Sequence, residues 1–139
     1  MSNFDLSDME ELSGLPGGRD CATNQVLYNL RRRGIEHDVL PWCRQRGIPI
    51  MAYSPVEQGR LLDQRALATI AKAYNATPAQ VALAWVMREQ GVIAIPKAGT
   101  IAHVKENRAA LDLRLSKDDL AALDRAFAAP KGPRPLEML

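Results

Sequence analysis

Thiols and imidazoles are scarce in this chain. Its two histidines, His37 and His103, and two cysteines, Cys21 and Cys43, stand at no spacing that suits a metal site, a redox pair or a nucleophile with its base. Amides, a tyrosine and cations at the ends of apolar runs are what it offers instead. Asn3 and Gln25 each carry a donor and an acceptor, so either could bind a polar group. The same side chains would equally serve to close a strand end. Tyr53 presents a flat amphipathic ring, fit to stack on a planar ligand or to fill a core. Lys97 follows an apolar run and precedes a helix, where a point charge and a helix N-terminus together favour an anion. A solvated loop lysine is the plainer alternative. Arg31–Arg33 reads as a solvated basic loop.

These residues must be positioned by short apolar runs that alternate with helical patterns. Thr23–Tyr28, Ile48–Tyr53 and Val92–Ile95 have strand composition. The last is apolar throughout, which predicts a strand buried on both faces. Helices are expected from Asp38 to Gln45, from Gln64 to Tyr74, from Thr77–Pro78 to a stop at Gly91, from Thr100 to Asn107, and from Ser116 onward with Leu120, Leu123 and Phe127 beneath. Pro41 fits the first of these only inside its opening turn. Asp5–Leu15 reads as one more helix with no strand before it, so the chain enters an α/β rhythm part-way. Alternation with short loops argues for a parallel sheet with right-handed crossovers.

The chain has 139 residues, enough for one core, with 47% hydrophobic and 24% charged residues. A net charge of +2 argues against nucleic acid or an anionic membrane as the main partner. No apolar run approaches the ~20 residues of a membrane-spanning helix. The polar, acidic N-terminus is unlike a secretory signal, and free buried cysteines suit a reducing cytoplasm. A cytoplasmic chain is expected.

Several segments stand in the order seen in one family. Ser2–Asn3–Phe4 resembles the end of the GVSNF strand of aldo/keto reductases, and Asn24–Tyr28 resembles their NQxxY strand. Ala52–Pro55 resembles AYSPL, Ile95–Lys97 with Glu106–Asn107 resembles IPKSxxxxRxxEN, and Thr77–Leu83 is a further characteristic run. The resemblance implies an α/β fold, a partial (β/α)8 TIM-type barrel covering roughly strands 5/6 to 8. A single incomplete domain over 1–139 is expected, with the barrel portion at 1–127 and a C-terminal surface tail at 128–139. Such barrels usually need ~250 residues and carry their sites on loops at the strand C-termini.

By this resemblance the chain keeps a site for NADP(H), with NAD(H) as the alternative. Ser2, Asn3 and Gln25 would hold the nicotinamide carboxamide, and Tyr53 would stack on its ring. Ser54 would face the pyrophosphate, where Gly59 gives the loop freedom to approach. Lys97 would meet the adenosine 2′-phosphate, and Glu106 and Asn107 the adenine. Two departures weaken the phosphate grip. Ala98 replaces the usual serine, and His103 stands where an arginine usually makes a bidentate contact. A reduced, pH-sensitive preference for NADP over NAD is expected.

The family's Asp–Tyr–Lys–His tetrad comes from the first half of the barrel, and no motif of this sequence matches it. Three readings follow: a fragment of an NADP(H)-dependent reductase of small carbonyl substrates, inactive alone; a silent nucleotide-binding module; or an interaction module that pairs its half-barrel with another chain. A partial parallel sheet leaves edges to be satisfied, so self-association or a complementing chain is expected.

Overall fold

The computed structural model describes residues 1–139. Three parallel strands, β1 (Asn24–Leu27), β2 (Ile50–Tyr53) and β3 (Val92–Ala94), lie side by side in that order. Helices α1 (Leu6–Gly14), α2 (Val39–Gln45), α3 (Arg65–Ala73), α4 (Pro78–Val86), α5 (Ile101–Ala109) and α6 (Lys117–Ala126) complete the fold. The α/β alternation expected from the sequence is therefore present. A fourth rung precedes β1. Ser2 pairs in parallel with Gln25, the Asn3 N–H donates to Gln25 O at 2.8 Å, and the Gln25 N–H donates to Met1 O at 2.9 Å. Buried Asn24 fastens this rung through its own side chain, donating Nδ2–H to Phe4 O at 2.8 Å.

Local chemistry sets the helix starts. Thr77 and Gln80 form a reciprocal capping box at α4, with Pro78 in the first turn where a missing N–H costs nothing. Ser116 and Asp119 do the same at α6. Asp38 caps α2, which leaves Pro41 within its first turn. One stop differs from expectation: α4 ends at Val86, before Gly91, and the backbone then turns through Gly91 at φ +83° into β3.

Strand parity decides what the sheet buries. Val26, Ile50 and Ala52 face the helices and pack in one cluster with Leu67, Val81, Ala82, Trp85 and Leu123. Gln25, Leu27, Met51, Tyr53 and Ile93 point the other way, and of these five only Leu27 is buried. Burial of β3 on both faces is thus not what the structure has. Ile93 is 48% exposed, because no element of the chain packs over it, although Leu27 at the β1 end of the same face is buried.

The arginine triplet is not the solvated basic loop that its composition suggests. Only Arg31 is exposed. Arg33 is buried, donating to Glu36, to Asp124 Oδ1 at 2.7 Å and to Phe127 O at 2.8 Å. Arg88 reaches the same Glu36 at 3.1 Å, and its guanidinium lies 3.7 Å from the centre of the Trp85 ring. Charges this enclosed survive because each is paired; removing one partner typically costs about 3–5 kcal/mol. Arg32 pairs with Glu57 and Glu137. Glu137 belongs to the expected surface tail, which is therefore tied down; Leu136 beside it packs on the core. Of the two cysteines, Cys43 is buried and Cys21 only half-buried.

Candidate functional site

The ends of adjacent parallel strands bring most of the singled-out residues to one end of the sheet. Parallel register sets Ser2 beside Gln25, Gln25 beside Met51, and Leu27 beside Tyr53. Partners in register share a face, so Ser2, Gln25 and Tyr53 all lie on the face turned from the helices. Ser2 is exposed, whereas Gln25 and Tyr53 are half-buried.

Asn3 carries the most informative detail. Its backbone is left-handed at φ +55°, and its side-chain Oδ1 is buried without any hydrogen-bond partner. A buried unpaired acceptor costs about 1–3 kcal/mol and calls for an explanation. A donor N–H is what such an oxygen lacks.

After Tyr53 the backbone turns through Ser54 (φ +47°), Glu57 (φ +48°), Gln58 (φ +56°) and Gly59 (φ +88°). The loop is held from the side by Asn29. Its Nδ2–H groups donate to Ser54 O at 2.9 Å and to Glu57 Oε2 at 2.7 Å.

Beyond β3, the Ile95 N–H donates to Ala52 O at 3.1 Å, extending the pairing toward Lys97. Lys97 is exposed at the strand end. Thr100 then caps α5 by accepting the His103 N–H at 3.2 Å. His103, Glu106 and Asn107 follow at i, i+3 and i+4, spacing that puts them along one side of α5. His103 is exposed, while Glu106 and Asn107 are half-buried. Gln80 Nε2–H donates to Glu106 O at 3.1 Å and so anchors α5 to α4. The amides, the tyrosine and Ser54 thus gather around β1 and β2. Lys97 and the α5 residues stand across β3.

Sequence reasoning missed Asn24, Asn29 and Glu57, all buried polar side chains that shape this end of the sheet. The remaining tyrosines are committed elsewhere. Tyr28 donates to Glu36 Oε1 at 2.7 Å and accepts from Arg88 at 3.1 Å. Burial, with Glu36 beside it, pushes its hydroxyl well above the ordinary phenol value. Tyr74 donates to Asp119 on the outer helices at 2.6 Å. The His37 ring meets Pro130 O at 2.6 Å. None of these groups joins a lysine in an acid–base cluster. No helix is long and apolar enough to cross a membrane.

The comparisons with known proteins agree with this geometry. The model of the aldo/keto reductase family matches residues 1–128. The chain belongs to the aldo/keto reductase family. It is 56% identical over 144 residues to methylglyoxal reductase YeaE of Escherichia coli K12, a match covering all of this chain and 51% of that protein. It is 33% identical to the glyoxal reductase of Bacillus subtilis, again across the whole chain and 49% of the relative. A crystal structure of an aldo/keto reductase from Klebsiella pneumoniae, in complex with NADP and acetate, superposes with a TM-score of 0.96 at 49% identity. That superposition covers 99% of this chain and 50% of the other. The chain therefore spans about half the length of the relatives it matches, and its sheet and helices are part of a (β/α)8 barrel.

Proposed function

We propose that this chain carries the cofactor half of an NADP(H)-dependent carbonyl reductase site. The observation that carries the reading is the orphaned Asn3 Oδ1, buried next to the rung that pairs Ser2 with Gln25. A nicotinamide carboxamide offers the missing N–H to Asn3 once that enclosed side chain turns outward, while Gln25 and Ser2 supply further donors and acceptors to the same group. Tyr53, on the same open face, stacks on the ring and presents one side of it. Ser54 and its loop meet the pyrophosphate. Lys97 supplies charge for a 2′-phosphate, with His103 as a second and weaker partner. Glu106 and Asn107 hold the adenine. NAD(H) is accepted as well, since the only contacts that discriminate are Lys97 and His103. When bound, the cofactor supplies hydride.

The whole protein reduces a small carbonyl compound to an alcohol. A dicarbonyl of the methylglyoxal or glyoxal kind is supported by what the Escherichia coli and Bacillus subtilis relatives are named for. The 139-residue chain by itself gives no turnover. Protonating a carbonyl oxygen needs an acid placed within hydrogen-bond reach, and Tyr28 and Tyr74 are engaged in structural bonds instead. Residues 1–127 act as the barrel portion and 128–139 as its tail. Titration with NADPH, followed by cofactor fluorescence, tests the reading, with Asn3→Ala as control; an assay with methylglyoxal tests the expected lack of turnover.

A second reading rests on a different observation. The open face carries Met51, Ile93 and Ile95, and the two isoleucines are 48% and 37% exposed. An apolar surface beside an unpaired strand edge favours association with a second copy or with a complementing half-barrel.

A further inference from the structure

We propose that Glu57 is a positioning residue that holds the Tyr53–Gly59 loop in its ligand-ready shape, and that Arg32 couples this loop to the C-terminal tail through Glu137. The inference rests on the cofactor reading above for its consequence, but not for its geometry. Glu57 is only 2% exposed, and both of its carboxylate oxygens are used. Oε2 accepts from Asn29 Nδ2 at 2.7 Å, and Oε1 accepts from Arg32 Nε at 3.1 Å and from its terminal nitrogen at 3.0 Å. Asn29 is itself fully buried and fixed on its other side, with Oδ1 accepting the N–H groups of Arg31 and Arg32 at 2.9 and 3.1 Å.

Two loops that follow neighbouring strands are thereby locked together. The lock coincides with unusual backbone. Ser54, Glu57 and Gln58 all occupy the left-handed region, where non-glycine residues are disfavoured. Strained conformations persist only where the surroundings over-determine them, and they collect at ligand-binding segments. Here the surroundings are the Asn29 and Arg32 contacts to Glu57, and the Asn29 contact to Ser54 O. The strained residues directly follow Tyr53, so the shape that Glu57 imposes is the shape a ligand stacked on Tyr53 meets.

Arg32 extends the device. Its other terminal nitrogen donates to Glu137 Oε1 at 2.7 Å, and Arg32 and Glu137 are each about one-third exposed. One guanidinium therefore bridges a buried carboxylate in the loop and a half-exposed carboxylate in the tail. Releasing the tail frees that guanidinium to shift, and the loop loses part of what holds its backbone.

Hydrogen exchange of the cofactor-free chain tests the geometry without any ligand. In Glu137→Gln, amides 54–60 should exchange at least fivefold faster while α4 keeps its protection. A side chain that merely decorates the tail would not move a loop 80 residues away in sequence. Glu57→Gln keeps the volume and the Asn29 contact, and it should raise exchange in 54–60 more than tenfold. NADPH titration of both variants should show weaker binding, about tenfold for Glu57→Gln and threefold for Glu137→Gln. Unchanged exchange at 54–60 in Glu137→Gln would overturn the coupling, and unchanged exchange in Glu57→Gln would overturn the positioning role. If Glu57→Gln fails to fold, Arg32→Met, which spares the Asn29–Glu57 bond, reads the same loop amides and must loosen them. A wild-type chain that shows no NADPH binding would sink the cofactor reading alone, because the exchange results stand apart from it.

Discussion

The Tyr28 hydroxyl donates to Glu36 Oε1 at 2.7 Å, and that bond binds the back of the sheet to the loop leading into α2. Glu36 also accepts from Arg33 and Arg88, and both of those cations lie against Trp85. One carboxylate therefore organises two guanidinium groups and a phenol around a buried indole.

Glu36→Gln should cost about 3 kcal/mol of stability at neutral pH, since it leaves two enclosed arginines short of charge. Burial alone would raise the Glu36 carboxyl, but hydrogen bonds from Arg33, Tyr28 and Arg88 hold it below its ordinary 4.5. A depressed folded value means the contribution is full above that ordinary value and fades as pH falls through the folded one. Urea unfolding of wild type and variant from pH 7 to pH 3 should show the gap closing only below about pH 4.5.

His103→Arg should restore a bidentate phosphate partner at the start of α5. NADPH affinity should rise about tenfold, roughly 1.4 kcal/mol, with NADH affinity unchanged. Lys97→Ala should do the reverse and remove most of the difference between the two cofactors. Paired titrations with NADPH and NADH measure both effects.

Cys43 should resist alkylation. Burial pushes its thiol up to about 11, so thiolate is scarce near neutrality. With iodoacetamide at pH 8, half-buried Cys21 should be labelled first. Cys43 should react on the order of a hundredfold more slowly in the folded chain than in urea. Mass spectrometry of timed samples reads both sites.

Ile93→Lys should weaken self-association. Ile93 lies on the uncovered face next to Met51, and a charge there opposes apolar burial and strand pairing. Sedimentation at micromolar concentration should show wild type larger than a monomer and the variant shifted toward monomer. Its near-ultraviolet spectrum, to which Trp42 and Trp85 on the helix side contribute, should stay the same.

How legible this was depended on how local the physics is. The boxes at Thr77–Gln80 and Ser116–Asp119 involve residues three apart, so the helix starts could be read directly. The strand-end residues were also readable, because each ends an apolar run and sits in a family motif. Contacts between distant segments were not. Nothing in Glu57–Gln58–Gly59 signals a buried carboxylate, since its partners Asn29 and Arg32 arrive from 28 and 25 residues away. Arg33 reads as solvated for the same reason: Glu36 is three residues away, but Asp124 and Phe127, which also accept from it, are 91 and 94 residues distant. The exposure of β3 is not legible because Val-Ile-Ala-Ile is apolar on both faces, and composition cannot show that Ile93 has no cover.

The most direct test is fluorescence titration of the 139-residue chain with NADPH, beside the same titration of Asn3→Ala. A cofactor half-site predicts saturable binding by wild type, weakened about tenfold when the orphaned Asn3 oxygen is removed. Absence of saturable binding by the folded wild-type chain, or equal affinity in the variant, would contradict the assignment of the carboxamide to Asn3.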